Sequence, residues 1–348
     1  MINPMTSILR RNGRERSKYN ILCAPTHERY ETGLAMTGHN FYALRADGIK
    51  NWNSIYAPIP PNYILLDKDL GMGQLPLHIE FDFVLSQNKF GQYQILKDLA
   101  DKMHLPLISL EHTLPIPSWS EQTRQHLKSM GGDLNVFISS FSINEWRYEE
   151  DERTRVVHHM VDTDVFNPGE QYMTNPPYNF RKNRILSVVN DWINRDWCCN
   201  FSGWQRITKG LPTLVVGDTP GLSEPAKTVE ELVSYYRDST IFINTSTVSP
   251  VPTALLEAMS CGCAVVSTAT CMIPEVITNG HDGFISNDER ELRSKLEFLL
   301  NNPNECKRLG YNARQTILKR FNKDTFIKKW NDIFDEAANI IYTGRING

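Results

Sequence analysis

Short apolar runs recur from residue 20 onward, and between them apolar positions return every three to four residues. The runs at 20–24, 41–44, 81–86, 105–110, 136–140 and 155–159 have the length and the β-branched or aromatic content of strands. Segments 91–103 and 120–130 follow the helical period. A second series begins with ILSVVN at 185–190 and continues with TLVVG at 213–217, IFINTS at 241–246 and AVVST at 264–268. Thr228, with Glu231 three residues on, forms a capping box for a helix running through Tyr236. Strands this apolar, alternating with helices, predict an α/β protein whose parallel sheets are covered on both faces. Residues 167–184, rich in Pro, Asn and Tyr and without periodicity, separate the two series. The pattern predicts a polar basic arm at 1–19, one doubly wound domain at 20–167, a second at 168–322, and a terminal helical segment at 323–348 with no strand after it. Two such domains facing each other would turn their strand C-termini toward a shared cleft, where ligands of open α/β sheets bind.

The densest chemistry lies in residues 244–275, which read as a strand end, a Ser/Thr/Pro loop, a short helix, a glycine stop, a second strand and a loop closing on Pro274 and Glu275. Pro252 suits the first helical position and Gly262 the residue after the helix end. The amides of Thr253 and Ala254 would then face an anion in front of the loop. Glu257, four residues after Thr253, falls on the same helix face. A carboxylate accepts hydrogen bonds only, which suits the paired hydroxyls of a ribose attached to a bound diphosphate.

Leu255, Leu256, Glu257, Ala258, Met259, Ser260 and Gly262 stand in the order found in family 4 glycosyltransferases, and the arrangement resembles the C-terminal domain of that family. The resemblance implies the GT-B fold: two Rossmann-like domains across a cleft, with a final helix crossing back to the first, here the segment 324–342. It also implies a retaining, metal-independent transfer of sugar from a nucleoside diphosphate donor, with UDP the expected base and no separate cofactor. The family carries a first Glu eight residues before the second; here that place is Ser249, a departure that implies an unusual donor, for instance a pentose. VVGDTPG at 215–221 resembles the turn beside the nucleotide base, which makes Gly217 and Asp218 candidates, although Gly-Asp-Thr-Pro is equally ordinary turn chemistry. Arg195 and Lys209 correspond to the two basic residues that neutralise the diphosphate, with Arg206 competing for the second place. His112, after the strand ending at Leu110, corresponds to a histidine at the donor sugar, and His27 to the loop under the leaving phosphate.

Composition narrows the acceptor only partly. Net charge of −3 over 348 residues opposes wholesale attraction to nucleic acid or anionic membrane. No run approaches the length of a membrane span, and the arginines at 10, 11, 14 and 16 lack the apolar core of a secretory signal, which predicts a cytoplasmic protein. Seven cysteines without regular spacing read as reduced thiols, with Cys261 and Cys263 as core residues rather than metal ligands. His158, His159, Asp162 and Asp164 suggest a metal cluster, but VDTDVFNPG at 161–169 matches the family's interdomain signature, so no metal is expected. The acceptor stays open among a glycan, a lipid-linked sugar, a protein and a hydroxymethylated DNA base; the basic arm and Trp52, Tyr56 and Tyr63 are the only features that bear on it. A GT-B epimerase, a phosphorylase and a non-catalytic sugar-nucleotide-binding protein share the expected fold.

Overall fold

A computed structural model of the chain describes residues 18–170 and 181–340. It divides into two compact units, one taking the chain to His158 and again from Phe326, the other comprising His159–Thr325. Most of the basic arm and of the 167–184 connection therefore lies outside the described residues.

In unit 1, strands β1 (Asn20–Cys23), β2 (Asn40–Ala43), β3 (Tyr63–Leu65), β4 (Phe83–Ser86), β5 (Leu107–Glu111), β6 (Leu134–Phe137) and β7 (Thr154–Val156) form a parallel sheet in the order 3-2-1-4-5-6-7. Helices α1 (Glu28–Ala35), α2 (Tyr93–Met103), α3 (Glu121–Ser129) and α4 (Ser140–Glu145) connect them. The chain winds one way from β1 and the other way from β4, so the topological switch lies between these two neighbours, where α/β sheets place ligands. The run read as a strand to residue 140 stops at Phe137, because the Ser139 hydroxyl accepts the Ser142 N–H and opens α4.

The last helix, α12 (Lys323–Asn339), belongs to unit 1 from Phe326 on. Trp330 and Phe334 are fully buried; the Trp330 indole donates to the Tyr30 hydroxyl at 3.1 Å, and Phe334 stacks on Phe83 at 5.3 Å. Burying each of these side chains contributes roughly 1.5–3 kcal/mol. Arg155 grips Glu336 through two nitrogens, at 3.1 and 2.5 Å.

In unit 2, strands β8 (Lys182–Val188), β9 (Thr213–Val216), β10 (Ser239–Asn244), β11 (Ala264–Ser267) and β12 (Phe284–Ile285) form a second parallel sheet in the order 12-11-10-8-9. Helices α5 (Asp196–Cys199), α6 (Phe201–Thr208), α7 (Val229–Asp238), α8 (Thr253–Ser260), α9 (Ile273–Val276), α10 (Glu289–Asn301) and α11 (Pro303–Arg320) cover it. Pro274 and Glu275, read as a loop end, lie inside α9. The Thr228 hydroxyl accepts the Glu231 N–H at 3.1 Å, while the Glu231 carboxylate reaches back to the Lys227 N–H, one residue beyond the expected partner.

The division at His158 falls earlier than residue 167 because the 161–169 segment is bonded into unit 2. The Phe166 carbonyl accepts from Ser260 Oγ at 2.5 Å and Arg314 Nη1 at 3.2 Å, and Arg237 Nε donates to the Asn167 carbonyl at 2.7 Å. Asp162 accepts the Asp164 and Val165 amides of its own turn, and Asp164 pairs with Lys323 at 2.8 Å. None of the seven cysteines, all of them among the described residues, is in a disulfide, and Cys261 and Cys263 are fully buried.

Candidate functional site

The C-terminal edge of the five-stranded sheet carries most of the residues read as donor ligands. Helix α8 begins at Thr253, so Pro252 is the residue before the first helical one rather than the first, and no side chain caps it. The other end is a Schellman stop: Gly262 takes φ of 75°, its N–H bonds to the Met259 carbonyl, and the Cys263 N–H bonds to the Ala258 carbonyl. The loop before α8 is laced to its neighbours. Thr247 N–H donates to the Cys198 carbonyl at 2.8 Å, Thr245 Oγ1 to the Cys199 carbonyl at 3.1 Å, and Thr270 Oγ1 to the Ser246 carbonyl at 2.8 Å. Ser249 lies half-buried in this loop.

Glu257 is 5% exposed, and one carboxylate oxygen accepts from the hydroxyl of Tyr236, itself buried, at 2.8 Å. The sequence pointed to the carboxylate but not to the tyrosine 21 residues earlier that orients it. Arg195 is exposed, stands just before α5, and directs Nη1 to the Asn190 carbonyl at 3.5 Å. Since α5 carries the Cys198 and Cys199 carbonyls that hold the β10–α8 loop, Arg195 and that loop share one support. The turn after β9 is tied to the same edge: Asp218 N–H donates to Asn190 Oδ1 at 2.9 Å, and Asp191 N–H to the Asp218 carbonyl at 2.6 Å.

Lys209 does not join them. It ends α6, whose path returns from the carboxyl end of β8 to the start of β9, so it stands at the amino edge of the sheet, where its carbonyl accepts from Arg293. Arg206 is engaged with Glu289 at 2.9 and 2.6 Å on the exposed face of α6. The strand–helix spacing could have shown this, because a residue at the far end of a return helix lies a full strand length from the turn it was matched with.

In unit 1, His27, Gln87 and His112 follow three neighbouring strands, β1, β4 and β5, at the topological switch. His27 is exposed while His112 is 8% exposed, and their rings meet edge to face at 4.8 Å. Tyr30 also packs edge to face on His112, at 4.6 Å. Although His27 reaches solvent, crowding by the surrounding protein and then the charge of Lys50 push its imidazole below the ordinary range, which favours the neutral ring.

Glu31, on α1 and joined to His112 through Gln87, is a residue the sequence did not single out. It is 0% exposed, and its Oε1 accepts from Thr26 N–H at 3.0 Å, Tyr63 Oη at 2.9 Å and Gln87 Nε2 at 2.9 Å. Oε2 is buried without a partner among the described residues. Tyr63 is accordingly a core residue, not part of an exposed aromatic acceptor face. Burial pushes the Glu31 carboxyl up to about 7 against the opposing pull of these donors. A raised carboxyl favours the fold when protonated, so its contribution is complete below the ordinary glutamate value and is lost as pH rises through about 7. The stability of Glu31→Gln relative to the parent should therefore increase by roughly 3 kcal/mol between pH 4 and pH 8 in urea unfolding. An unchanged difference would show that the carboxyl is not held protonated.

Residues 225–316 match the family described as glycosyl transferases group 1. Two uncharacterized glycosyltransferases of Methanocaldococcus jannaschii are similar in sequence. One is 29% identical over 113 residues, 32% of this chain and 29% of the relative, and the other 23% identical over 269 residues, 74% of this chain and 76% of the relative. Sucrose-phosphate synthase from Thermosynechococcus elongatus superposes with a TM-score of 0.69 at 14% identity, over 92% of this chain and 99% of that one. HepE of Anabaena in complex with UDP does so with a TM-score of 0.66 at 13% identity, over 91% and 100%. The fold is GT-B, and the domain match together with the relatives supports a glycosyltransferase.

Proposed function

We propose that this chain is a retaining, metal-independent glycosyltransferase of the family 4 type that takes its sugar from a nucleoside diphosphate donor, with UDP as the base. The observation that carries the reading is the uncapped start of α8 above a buried, tyrosine-held Glu257, at the carboxyl edge of a Rossmann-like sheet. HepE of Anabaena, which shares the fold, is seen with UDP and with UDP-glucose, and this supports the choice of donor.

In this reading the amides of Thr253 and Ala254, with Arg195, stabilise the charge that grows on the diphosphate as the anomeric C–O bond breaks. Glu257 accepts from the ribose hydroxyls. The acceptor hydroxyl attacks the face that the phosphate leaves, and its proton passes to a donor phosphate oxygen, so no protein nucleophile is assigned. His112 and His27 serve the sugar end of the donor.

The test is a panel of nucleoside diphosphate sugars, scored by thermal stabilisation and then by slow donor hydrolysis. Stabilisation by UDP-sugars supports the assignment; no stabilisation by any donor removes it. Ser249 stands where a sugar-reading carboxylate is expected, so common hexose donors should be poor substrates and Ser249→Glu should raise their turnover by about tenfold, the effect of roughly one hydrogen bond. Efficient hexose turnover that falls in Ser249→Glu would reject the pentose reading.

A further inference from the structure

We propose that Glu31, acting through Gln87, is a positioning residue that fixes His112 as the tautomer protonated on Nε2. The proposal rests on the reading of His112 as a sugar-side group for its functional meaning, but the tautomer itself is a property of unit 1.

A chain of one-way hydrogen bonds carries it. Glu31 Oε1 faces the Gln87 side-chain amide at 2.9 Å, and the other end of that amide faces His112 Nε2 at 3.3 Å. A carboxylate can only accept, so Gln87 turns its NH2 toward Glu31; the opposite orientation would set a carbonyl oxygen against a carboxylate oxygen. The Gln87 oxygen then faces His112, and an amide oxygen can only accept. Nε2 must donate, and Nδ1 becomes the basic nitrogen of the neutral ring. The partners of the relay are themselves fixed: the Gln87 main-chain N–H donates to Gln92 Oε1 at 3.2 Å, and Gln92 Nε2 donates to Thr26 Oγ1 at 2.7 Å. All of these side chains are buried.

Burial is what raises the Glu31 carboxyl toward neutrality, and the groups facing it act against that burial or with it. Thr26 from the β1–α1 loop, Tyr63 from β3 and Gln87 after β4 donate to it, Cys23 of β1 lies beside it, and Glu28 on its own helix is a like charge. Glu28 is in turn neutralised by Lys50 at 2.7 Å. Protonation of Glu31 turns its charge-assisted bonds into weaker neutral ones and removes the reason for a single Gln87 orientation. Transfer should therefore decline on the acid side of neutrality through loss of the tautomer, without loss of donor binding.

The experiment uses the full chain with 15N-labelled histidine, His112 being assigned from the signal lost in His112→Gln. Long-range 1H–15N spectra at pH 8 should show His112 protonated on Nε2 in the parent and a mixture of tautomers in Glu31→Gln and in Gln87→Met. With the best donor, Glu31→Gln should lower kcat by about tenfold, leave the donor KM unchanged, and lose the acid limb of the kcat profile near neutrality. Gln87→Met provides the same test should Glu31→Gln fail to fold. A parent His112 protonated on Nδ1, or tautomers and pH profiles unmoved in both variants, overturns the proposal. A parent that turns over no donor defeats the transferase reading instead, and the spectra still decide the tautomer.

Discussion

Glu257→Ala is expected to abolish stabilisation by UDP-sugars and to weaken their binding on the order of a hundredfold, the loss of roughly 3 kcal/mol carried by hydrogen bonds to a charged acceptor. The carboxylate is almost wholly buried, so solvent cannot replace what it offers a ligand. Truncation also removes the acceptor of the fully buried Tyr236 hydroxyl, and that alone costs about 1–3 kcal/mol of stability. Lost binding and lost stability must therefore be separated. Tyr236→Phe keeps the carboxylate and removes only the hydroxyl, so it should bind UDP more weakly than the parent yet far better than Glu257→Ala. Titration calorimetry on the three proteins, each confirmed folded, gives the order. Equal UDP affinity in the parent and Glu257→Ala would mean that the carboxylate is a structural partner of Tyr236 and does not meet the donor.

Much of what defines this fold is written locally in the chain. Gly262 and the apolar run after it announced the end of α8 because a left-handed residue and a helix stop are written in adjacent positions. The strands at the centre of each sheet were legible for the same reason: both faces are covered, so they read as unbroken apolar runs. β3 was not. It is three residues long, follows a stretch containing Pro58, Pro60 and Pro61, and exposes Ile64 at its middle, so the apolar run at 63–66 is too short and too close to the prolines to be told from a loop. β12, two residues long, is silent for the same reason. Helix α10 was missed although Leu292, Leu296 and Leu299 carry the helical spacing, and this signal was available.

The candidate site divides along the same line. Glu257, Thr253, Ala254, Ser249, Arg195, Gly217 and Asp218 fall at one edge of one sheet because each follows a strand end that the apolar pattern locates. Lys209 was matched by spacing alone, and the length of α6 carries it to the opposite edge. Glu31 could not be found at all. A glutamate in the first turn of a helix reads as solvent-facing, favoured there by the helix dipole. Its burial depends on Tyr63 and Gln87, 32 and 56 residues away, and Tyr63 sits on the very strand that the sequence conceals.

Gly217→Ala should be the most disruptive single-methyl change in unit 2, destabilising it by about 3 kcal/mol or more. Gly217 takes φ of 138°, and a Cβ there would lie 2.1 Å from the Val189 carbonyl oxygen and 2.6 Å from its carbon. The obstacle is backbone, and it is pinned: Val189 N–H donates to the Val216 carbonyl at 3.0 Å, and Asn190 Oδ1 holds the Asp218 N–H at 2.9 Å. Neither side of the contact can move without breaking the bonds that align the loops after β8 and β9, where Arg195 and Asp218 stand. Gly221→Ala, four residues on, is the control. It also has positive φ, 80°, but a Cβ would meet nothing within 4 Å, so only the conformational cost of about 1–2 kcal/mol applies. Urea unfolding of the two variants separates steric collision from backbone preference. The donor assay then asks whether the turn matters for the base, since Gly217→Ala should lose UDP stabilisation at temperatures where it remains folded and Gly221→Ala should keep it. Comparable losses of stability in both variants would show that the turn yields to the added methyl, and that its close approach to β8 does not set the geometry of this edge.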